Sequence, residues 1–497
     1  MVRRRQGALL SSFSIDRASA TPVYRQLEEQ IRSAILKGDL QRGVRLPSSR
    51  ILAAELGLAR PTVVQVLEAL QFEGYLEARQ GAGTFVAHDI PKALPTFDLH
   101  STQASVDNIQ LAGLSRIGTS IQSVPAGLGA ATYAPFLPNF PAFDAFPWAN
   151  WRKCWTSPGA NTASDMGYSD PAGFLPLRRC IAQYLGLQRG DACDPDQIII
   201  TSGAHAAFSF AAMLLADPGD KVWLENPGPV AVRNLFKVLG LDVVDIGSDN
   251  EGMMVADAIG KAPDARLVFA MPSRQHPLGT TMSLPRRLAL LSWAQSRAAW
   301  IIEDDYDSEF RYVGRPLASI RSIDTAGRVI YVGTFSKALY PAIRIGYLVL
   351  PPQLVGVFRD LSSLVSRSVP VEMQAALARF IDGGHFVTHL RRTRELYAER
   401  SAAFLHIARQ ELGEHVEMSA PTSGMNVLAW LKPGVDDRRI HATAESAGVR
   451  SYPLSDYGGG SLARGGLLLG FTGVSAERMR EPLARLGDVL DQQALSR

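Results

Sequence analysis

Six short apolar runs between residues 197 and 350 are separated by intervals long enough for a helix. Strands that are apolar throughout are buried on both faces, and helix-sized crossovers join parallel neighbours. The pattern predicts an α/β domain with a mostly parallel sheet, whose ligands sit at the carboxyl ends of the strands. The predicted strands are Gln197–Ile200, Lys221–Leu224, Arg266–Ala270, Ala299–Ile302, Arg328–Val332 and Gly346–Leu350.

The N-terminal zone has the periodicity of helices instead. Apolar residues recur at four-residue steps from Val23 to Ile35, as on the buried face of a helix. Two further helices fit Ser49–Leu56 and Arg60–Glu73, with a short Gly-containing turn between them. The run TFVA at 84–87 reads as a strand that closes a wing. This order of elements predicts a winged helix-turn-helix, an α+β domain.

Composition suggests where the chain divides. Residues 88–132 are rich in Pro, Gly, Ser, Thr and Ala with weak periodicity, which is typical of a linker. We therefore predict an N-terminal tail over residues 1–20, the winged helix over 21–87, the linker over 88–132, and an effector domain over 133–497.

Charge is distributed unevenly along the chain. The 497 residues carry a formal net charge of +3, and residues 1–90 hold 12 Lys/Arg against 9 Asp/Glu, which leaves 39 of each in the remainder. The whole basic excess thus lies in the winged-helix zone. That asymmetry favours a polyanion as the partner of the N-terminus.

The cysteine content and the hydropathy exclude several classes of protein. Cys154, Cys180 and Cys193 are too few and too scattered for a disulfide framework or a CxxC metal site, so we expect a reducing compartment and no metal. The apolar run near the N-terminus is broken by Ser11 and Ser12. No stretch reaches the roughly 18 apolar residues of a membrane span. These features predict a cytoplasmic protein without a membrane partner.

The helix-turn-helix carries side chains suited to DNA. Ser48 or Ser49 caps a helix whose first-turn amides, with Arg50, can meet a phosphate. Thr62 and Gln65 are three residues apart and share a face at the start of the next helix, where a recognition helix contacts base edges. Arg60 leads into that helix, and the glycines of a downstream turn allow a wing to approach DNA closely.

The motif GVRLPSSR at 43–50 and the run LAAELGLARPTVVQVLEALQFEGYLEARQGAGTFV after it resemble the DNA-binding domain of the GntR family, over about 65 residues. The resemblance implies binding to double-stranded operator DNA. Pro61 departs from the family, which usually has a polar residue there. The competing interpretation is that the arginines are a solvated face of a helical packing domain. The predicted DNA-binding residues are Arg45, Ser48, Arg50, Arg60, Thr62, Gln65, Gln80, Gly81 and Gly83.

The sequence GTFSKALYPAIRIGY at 333–347 directly follows an apolar predicted strand. A lone lysine in such a place is typically a surface residue, but Thr334 and Ser336 offer hydroxyls beside Lys337. Arg344 can bind a phosphate through two parallel hydrogen bonds. A lysine next to a phosphate site at a strand end predicts a Schiff base to pyridoxal 5′-phosphate (PLP).

Two other strand ends complete this predicted cofactor site. Asp304 can pair with the pyridine nitrogen of PLP and keep it protonated, and Tyr306 can donate to the phenolic oxygen of the cofactor. Asp305 and Asp307 are then structural or solvated, and the competing interpretation of the whole run is a strand-end acidic loop. In the segment TSGAH at 201–205, helix N-terminal amides would point at the phosphate. These amides belong to Gly203, Ala204 and His205.

With the segment GYSDPAG at 167–173, these motifs resemble fold type I aminotransferases over roughly residues 130–490. With the GntR-like winged helix in front, the chain resembles the MocR family of bacterial transcriptional regulators. The resemblance implies a homodimer in which Tyr168 reaches the phosphate in the partner's site. It also implies a PLP-dependent regulator in which an internal aldimine at Lys337, with an effector, changes how the dimer meets DNA.

The effector is an amine, an amino acid or PLP itself. The alternative function is a working aminotransferase that carries a DNA-binding domain, and a third reading is a DNA-binding protein with a degenerate domain that retains no cofactor.

Four departures from the aminotransferase pattern bear on that choice. Pro229 stands where the family usually has a ring-stacking Tyr, and His205 where it commonly has Gln. Arg274 and His276 replace a His and an aromatic residue, and either contacts the cofactor ring or simply packs. Leu468 aligns with the Arg that holds the substrate α-carboxylate. Transamination of an ordinary amino acid is therefore disfavoured, unless Arg464 or Arg450 substitutes.

Overall fold

The computed structural model describes residues 13–79, 81–89, 113–122, 134–157, 167, 169–312, 314, 318–366, 369–458 and 463–495. The chain divides into two units, Met1–Ala112 and Gly113–Arg497. Two of the predicted site residues, Gln80 and Tyr168, lie outside the described residues.

The N-terminal unit is the winged helix that the sequence predicts. Helix α1 spans Val23–Leu36, and the helix-turn-helix consists of α2 (Ser49–Leu56) and α3 (Arg60–Phe72). An antiparallel hairpin of β1 (Leu76–Arg79) and β2 (Gly83–Val86) follows as the wing. Sequence periodicity located all three helices but only the second wing strand.

The core of this unit is the apolar face that the four-residue steps predicted. Leu27 and Ile31 of α1 are at most 1% exposed and pack in one cluster with Val63 and Leu70 of α3. Between the two helices of the motif, Gly57 takes a left-handed conformation with φ of 63° and ends α2. A residue with a Cβ is strained there, so glycine allows the tight turn into α3.

The C-terminal unit is built on an eight-stranded sheet in the order β3-β10-β9-β8-β7-β4-β5-β6. Strands β4, β5, β7, β8 and β9 are parallel, whereas β10 runs antiparallel between β3 and β9 and β6 is antiparallel to β5. The strands are β3 (Ile198–Thr201), β4 (Lys221–Asn226), β5 (Asp242–Asp249), β6 (Gly252–Met253), β7 (Leu267–Ala270), β8 (Trp300–Asp305), β9 (Val329–Thr334) and β10 (Gly346–Val349).

Alternate residues of each strand pack into helices on opposite faces of the sheet. Ile198 and Ile200 share a cluster with Leu177 and Ile181 of one helix, whereas Ile199 packs with Phe208 of another. Burial on both faces explains why the sequences of these strands are unbroken apolar runs.

The helices of the C-terminal unit are α4 (Arg116–Gln122), α5 (Trp148–Thr156), α6 (Leu175–Tyr184), α7 (Ala204–Leu215), α8 (Val230–Val238), α9 (Val255–Lys261), α10 (Leu284–Arg297), α11 (Phe335–Ala338), α12 (Val355–Val365), α13 (Val371–Asp382), α14 (His385–Glu411), α15 (Asp437–Ser446) and α16 (Arg480–Leu495).

A second, smaller sheet lies near the C-terminus, in the order β11-β12-β14-β13. Its neighbouring strands are all antiparallel. The side chains of one face pack against α14 and α16 in a separate apolar cluster. The strands are β11 (Val416–Glu417), β12 (Asn426–Leu431), β13 (Tyr452–Pro453) and β14 (Gly466–Gly470).

Three further findings concern the described residues only. None of their helices is both long enough and apolar enough to cross a membrane. They bring together no group of three or more His, Cys, Asp or Glu side chains that could hold a metal. Helix α4 lies inside the segment predicted as a linker, and Ile117 and Ile121 on it are more than half exposed.

Candidate functional site

The first turn of α2 presents the predicted phosphate contacts to solvent. Ser48, not Ser49, is the N-cap: its hydroxyl accepts a hydrogen bond from the N–H of Ile51 at 3.4 Å. Arg50 is exposed in the same turn. The positive end of the helix dipole and the guanidinium therefore lie together at the surface, an arrangement that suits an anion.

Helix α3 divides into a buried face and an exposed face. Val63 and Val66 are at most 1% exposed, whereas Arg60 and Gln65 are exposed and Thr62 is half-buried. Pro61 lies in the first turn of the helix, where a missing N–H costs no hydrogen bond. The predicted base-contacting residues thus share the outward side of the second helix of the motif.

Arg45 belongs to the wing. It forms an isolated antiparallel bridge with Phe85, and a Cβ built on Gly83 would lie 3.0 Å from Nε of Arg45. Glycine at 83 therefore leaves room for the guanidinium. Gly81, with φ of 75°, is at the open tip of the hairpin. Arg79, which the sequence analysis missed, lies over the Phe85 ring at 4.6 Å and is ion-paired with Glu77 at 2.5 Å.

In the C-terminal unit, Lys337 follows the carboxyl end of β9 on the short helix α11. Its Nζ donates a hydrogen bond to the carbonyl oxygen of Asn139 at 3.2 Å. Burial lowers the pKa of Lys337 to about 8, although the charges of Asp307 and Asp304 act to raise it. A larger share of the amine is therefore neutral, and nucleophilic, than in an ordinary lysine.

Asp304 is the penultimate residue of strand β8. Its Oδ1 atom is buried and has no hydrogen-bond partner among the described residues. Burial, and then the charges of Asp305 and Asp307, raise its pKa well above the ordinary value. An unpaired carboxylate oxygen in such a place costs free energy unless a ligand donates to it. Tyr306 is partly buried, and its pKa is raised by burial and by Asp307.

The neighbouring acids have structural partners. Asp305 accepts hydrogen bonds from Arg189 at 2.5 Å and from the Tyr331 hydroxyl at 2.7 Å. Asp307 is 1% exposed and lies 3.3 Å from Nε of Arg274. Burial raises the pKa of Asp307 to about 7, although Arg274 acts to lower it. The sequence left open whether Asp305 and Asp307 are structural or solvated, and their burial and contacts favour a structural role for both.

The predicted phosphate-binding residues surround the N-terminus of α7. Gly203 has φ of 87°, and a Cβ built on it would lie 3.8 Å from Cζ of Arg344. The N–H of Gly203 already donates to the carbonyl oxygen of Thr201 at 2.8 Å. The lack of a side chain at Gly203 thus lets a ligand and Arg344 come close to the backbone. The N–H groups available to an anion are those of Ala204 and His205 in the first turn.

Arg344 has the free charge that an anion site needs. It is exposed and makes no ion pair with any residue that the structure describes. Ser336 is near it in sequence and partly exposed, and its N–H donates to Oγ1 of Thr334 at 3.2 Å. Burial, followed by the charges of Arg344 and Lys337, lowers the pKa of His205. A bound phosphate dianion would offset that positive potential.

Two of the departures from the aminotransferase pattern find a structural role. The imidazole of His276 lies between Tyr306 and Tyr457, with ring centroids 6.0 Å and 5.0 Å away. Burial lowers its pKa to about 3, so the ring is neutral at pH 7. Pro229 is the N-cap residue of α8. It has no aromatic ring that could stack on a cofactor.

Sequence analysis missed an amide pair above Lys337. The backbone N–H of Asn139 donates to Oδ1 of Asn426, and Nδ2 of Asn426 donates to Oδ1 of Asn139, both at 2.6 Å. Asn139 has φ of 59°, a conformation that asparagine tolerates better than other residues with a Cβ. The two residues are 287 positions apart, so no local pattern could predict their contact.

These side chains match the chemical groups of PLP. Lys337 offers a partly neutral amine for an aldehyde, and Asp304 has an orphaned buried oxygen for a protonated ring nitrogen. Arg344 and the free amides of α7 offer charge and donors for a phosphate. The residues that the structure places at the carboxyl ends of β3, β8 and β9 therefore fit the cofactor.

Known families match both units of the chain. Residues 23–86 match the family described as bacterial regulatory proteins, gntR family, and residues 156–453 match aminotransferase class I and II. The fold and the site thus define a transcription regulator that joins a GntR-type winged helix to an aminotransferase-like domain. That domain has the fold of PLP-dependent proteins.

Full-length relatives narrow the class to one family. The probable rhizopine catabolism regulatory protein MocR of Rhizobium meliloti is 37% identical over 473 residues, which cover 95% of this chain and 94% of the relative. The pyridoxine biosynthesis transcriptional regulator PdxR of Corynebacterium glutamicum is 32% identical, covering 95% of this chain and 96% of the relative. The chain belongs to the MocR family of bacterial transcriptional regulators.

Solved structures similar to the C-terminal unit are aminotransferases. The kynurenine aminotransferase of Pyrococcus horikoshii has a TM-score of 0.67 and 28% identity, covering 76% of this chain and 95% of that enzyme. The multiple substrate aminotransferase of Thermococcus profundus has the same TM-score and 26% identity, covering 78% of this chain and 97% of that enzyme. The predicted fold of type I aminotransferases is thereby confirmed.

Proposed function

We propose that the chain is a PLP-dependent DNA-binding regulator that acts as a homodimer. The observation that carries the proposal is the partly neutral amine of Lys337, close enough to Asp304 for their charges to interact, together with the unpaired buried oxygen of Asp304, in a chain whose N-terminal unit is a winged helix. An amine or vitamer effector at that site then changes the arrangement of the dimer on DNA.

The chain's own residues would hold the cofactor in distinct ways. Nζ of Lys337 would attach it covalently, and Asp304 would keep a proton on the ring nitrogen. Tyr306 would donate to the phenolic oxygen. When bound, PLP supplies an aldehyde carbon that reacts with primary amines. The phosphate would be held by Arg344, Thr334, Ser336, the helix N-terminus at Gly203, Ala204 and His205, and Tyr168 of the partner subunit.

The proton balance at Lys337 favours attachment. With a pKa of about 8, about one tenth of the amine is neutral at pH 7, whereas an ordinary pKa of 10.5 leaves fewer than about one in a thousand molecules neutral. The carbonyl oxygen of Asn139 accepts a hydrogen bond from Nζ and holds the side chain in the pocket. The pocket therefore prepares the lysine for the aldehyde.

The winged helix supplies the contact with operator DNA. Arg50 and the N-terminus of α2 bind backbone phosphate, the outward face of α3 meets base edges, and the wing carries Arg45. Residues 88–132 connect this domain to the effector domain. An effector that binds one dimer arrangement more tightly shifts the population toward it, and DNA affinity changes accordingly.

Absorbance of the purified protein with PLP tests the cofactor assignment. Binding should give the long-wavelength absorbance of lysine-bound PLP, and Lys337→Ala should lose the covalent attachment while keeping its circular dichroism spectrum. A borohydride-reducible adduct that persists in Lys337→Ala would contradict the assignment. The enzyme alternative is tested with amino and keto acids, because steady multiple turnover would identify an aminotransferase.

A further inference from the structure

The small sheet carries a buried apolar residue at position 468. In this sheet Leu468 of β14 lies opposite Leu428 of β12, and Gly470 lies opposite Asn426. The alternate residues Leu467 and Leu469 pack into the core on the other face. Leu468, which is 1% exposed, therefore shares its face with Asn426, whose amide holds Asn139 beside Lys337.

Arg274 does not supply the missing charge, because its guanidinium is already engaged. Nε lies 3.3 Å from Asp307, and Nη2 donates to the carbonyl oxygen of Asn426 at 2.9 Å. A Cβ on Gly279 would lie 3.3 Å from both Nη atoms, and one on Gly424 would lie 2.6 Å from Cζ. The guanidinium is thus clamped between two backbones beside a buried acid.

The two arginines that the sequence offered as substitutes are engaged elsewhere. Arg450 is ion-paired with Glu445. Arg464 pairs with Glu417 at 2.7 Å and donates to the carbonyl oxygen of Leu431. Neither guanidinium is available to a ligand at Lys337 without giving up these partners.

A cavity of about 440 Å³ lies beside Asn426. It shares Arg274 and Asn426 with the site, and both side chains are more than nine-tenths buried. The carboxylate of Asp249 at its edge is paired with Arg286 at 2.5 Å. The other polar groups of the lining are neutral hydroxyls and amides, namely those of Ser248, Asn250, Thr280, Ser419 and Thr422.

Resting on the proposed function, we infer that the effector is a primary amine without an α-carboxylate, whose body carries neutral hydroxyl or amide groups. A carboxylate on the ligand would find the guanidinium of Arg274 engaged and the acids Asp304 and Asp307 close to Lys337, and it would lose its water without gaining a free cation. A hydroxyl can exchange hydrogen bonds with the amides of Asn139 and Asn426.

Matched ligands test the inference on the full-length protein loaded with PLP. Serinol and serine differ in that a CH₂OH group replaces the carboxylate. We expect serinol to bind about 10- to 100-fold more tightly in calorimetry, which is the range of one lost charge-assisted contact. The absorbance of the bound cofactor should shift at correspondingly lower serinol concentrations. Equal binding, tighter binding of serine, or no binding of serinol would overturn the inference.

Leu468→Arg tests whether residue 468 lies close to the bound ligand. A variant that retains cofactor absorbance and the wild-type melting temperature should gain serine affinity by about tenfold or more, whereas Leu468→Met, of similar volume, should keep the wild-type preference. An Arg variant that folds without gaining serine affinity would overturn the placement. The ligand comparison on wild-type protein decides the matter if Leu468→Arg does not fold.

The outcomes separate this inference from the proposed function. Protein that shows no cofactor absorbance at saturating PLP refutes the proposed function. Protein that binds PLP through Lys337 but prefers serine refutes only the ligand class.

Discussion

Replacing Asp307 by asparagine should reduce the pH dependence of stability in the C-terminal unit. Asp307 is 1% exposed, and burial raises its pKa from 3.8 to about 7. The native state therefore binds more protons than the unfolded state between these two pH values, so this group makes stability fall as pH rises through the window. Asparagine keeps the shape of the side chain and removes its titratable proton.

The size of the effect follows from the two pKa values. Linkage with 3.8 unfolded and about 7 folded gives a loss of about 2.5 kcal/mol between pH 5 and pH 8. Solvent screening does not reduce this figure, because the carboxylate is buried. Removing the charge of Asp307 also lowers the pKa of Lys337 further, which makes the stability of the variant rise with pH. Both effects widen the difference in the same direction.

Urea unfolding of the cofactor-free protein from pH 5 to pH 8 measures the effect. The free energy of unfolding of Asp307→Asn, minus that of wild type, should increase by about 2.5 kcal/mol across this range. Asp242→Asn removes an exposed acid and serves as the control, for which the difference should stay nearly constant. A difference for Asp307→Asn that does not change with pH would refute the reasoning.

Two substitutions test other parts of the chain. Arg50→Ala should weaken binding to all DNA sequences and lower the salt dependence of log K by up to about 0.9, the value of one phosphate contact, and an unchanged slope would remove Arg50 from the backbone contacts. Gly424→Ala should cost about 2–4 kcal/mol by urea unfolding, because its φ is 84° and a Cβ would overlap Nε of Arg274. Gly190→Ala, with a positive φ but open space around it, should cost about 1–2 kcal/mol, and equal costs would contradict the clamp.

Local patterns in the sequence predicted the elements that depend on local physics. The buried faces of α1 and α3 followed from helical periodicity, and the central strands followed from runs that are apolar on both faces. Strand β5, next to the edge strand β6, was missed because its residues are mostly half-buried and include Asp242, Asp245 and Asp249. Such a strand lacks the unbroken apolar pattern of its neighbours.

The sequence placed Lys337, Asp304 and Arg344 at strand ends because a strand followed by a turn is a local pattern that a few consecutive residues define. The partners that tune them come from distant segments. Asn139 meets Asn426 across 287 positions, and Arg274 meets Asp307 only after two strand ends are brought together. Tertiary packing decides those contacts, so whether Arg450 or Arg464 was free stayed open until the structure placed them.

The contact of Arg274 with Asp307 constrains which substitutions homologous proteins can accept at these two positions. Loss of the guanidinium leaves a buried carboxylate without its counter-charge, and loss of the carboxylate leaves a buried cation; either alone is penalised more heavily than the exchange of both for neutral residues. Among homologous sequences, positions 274 and 307 should therefore change in concert, and lineages with histidine at 274 should show a compensating replacement at 307.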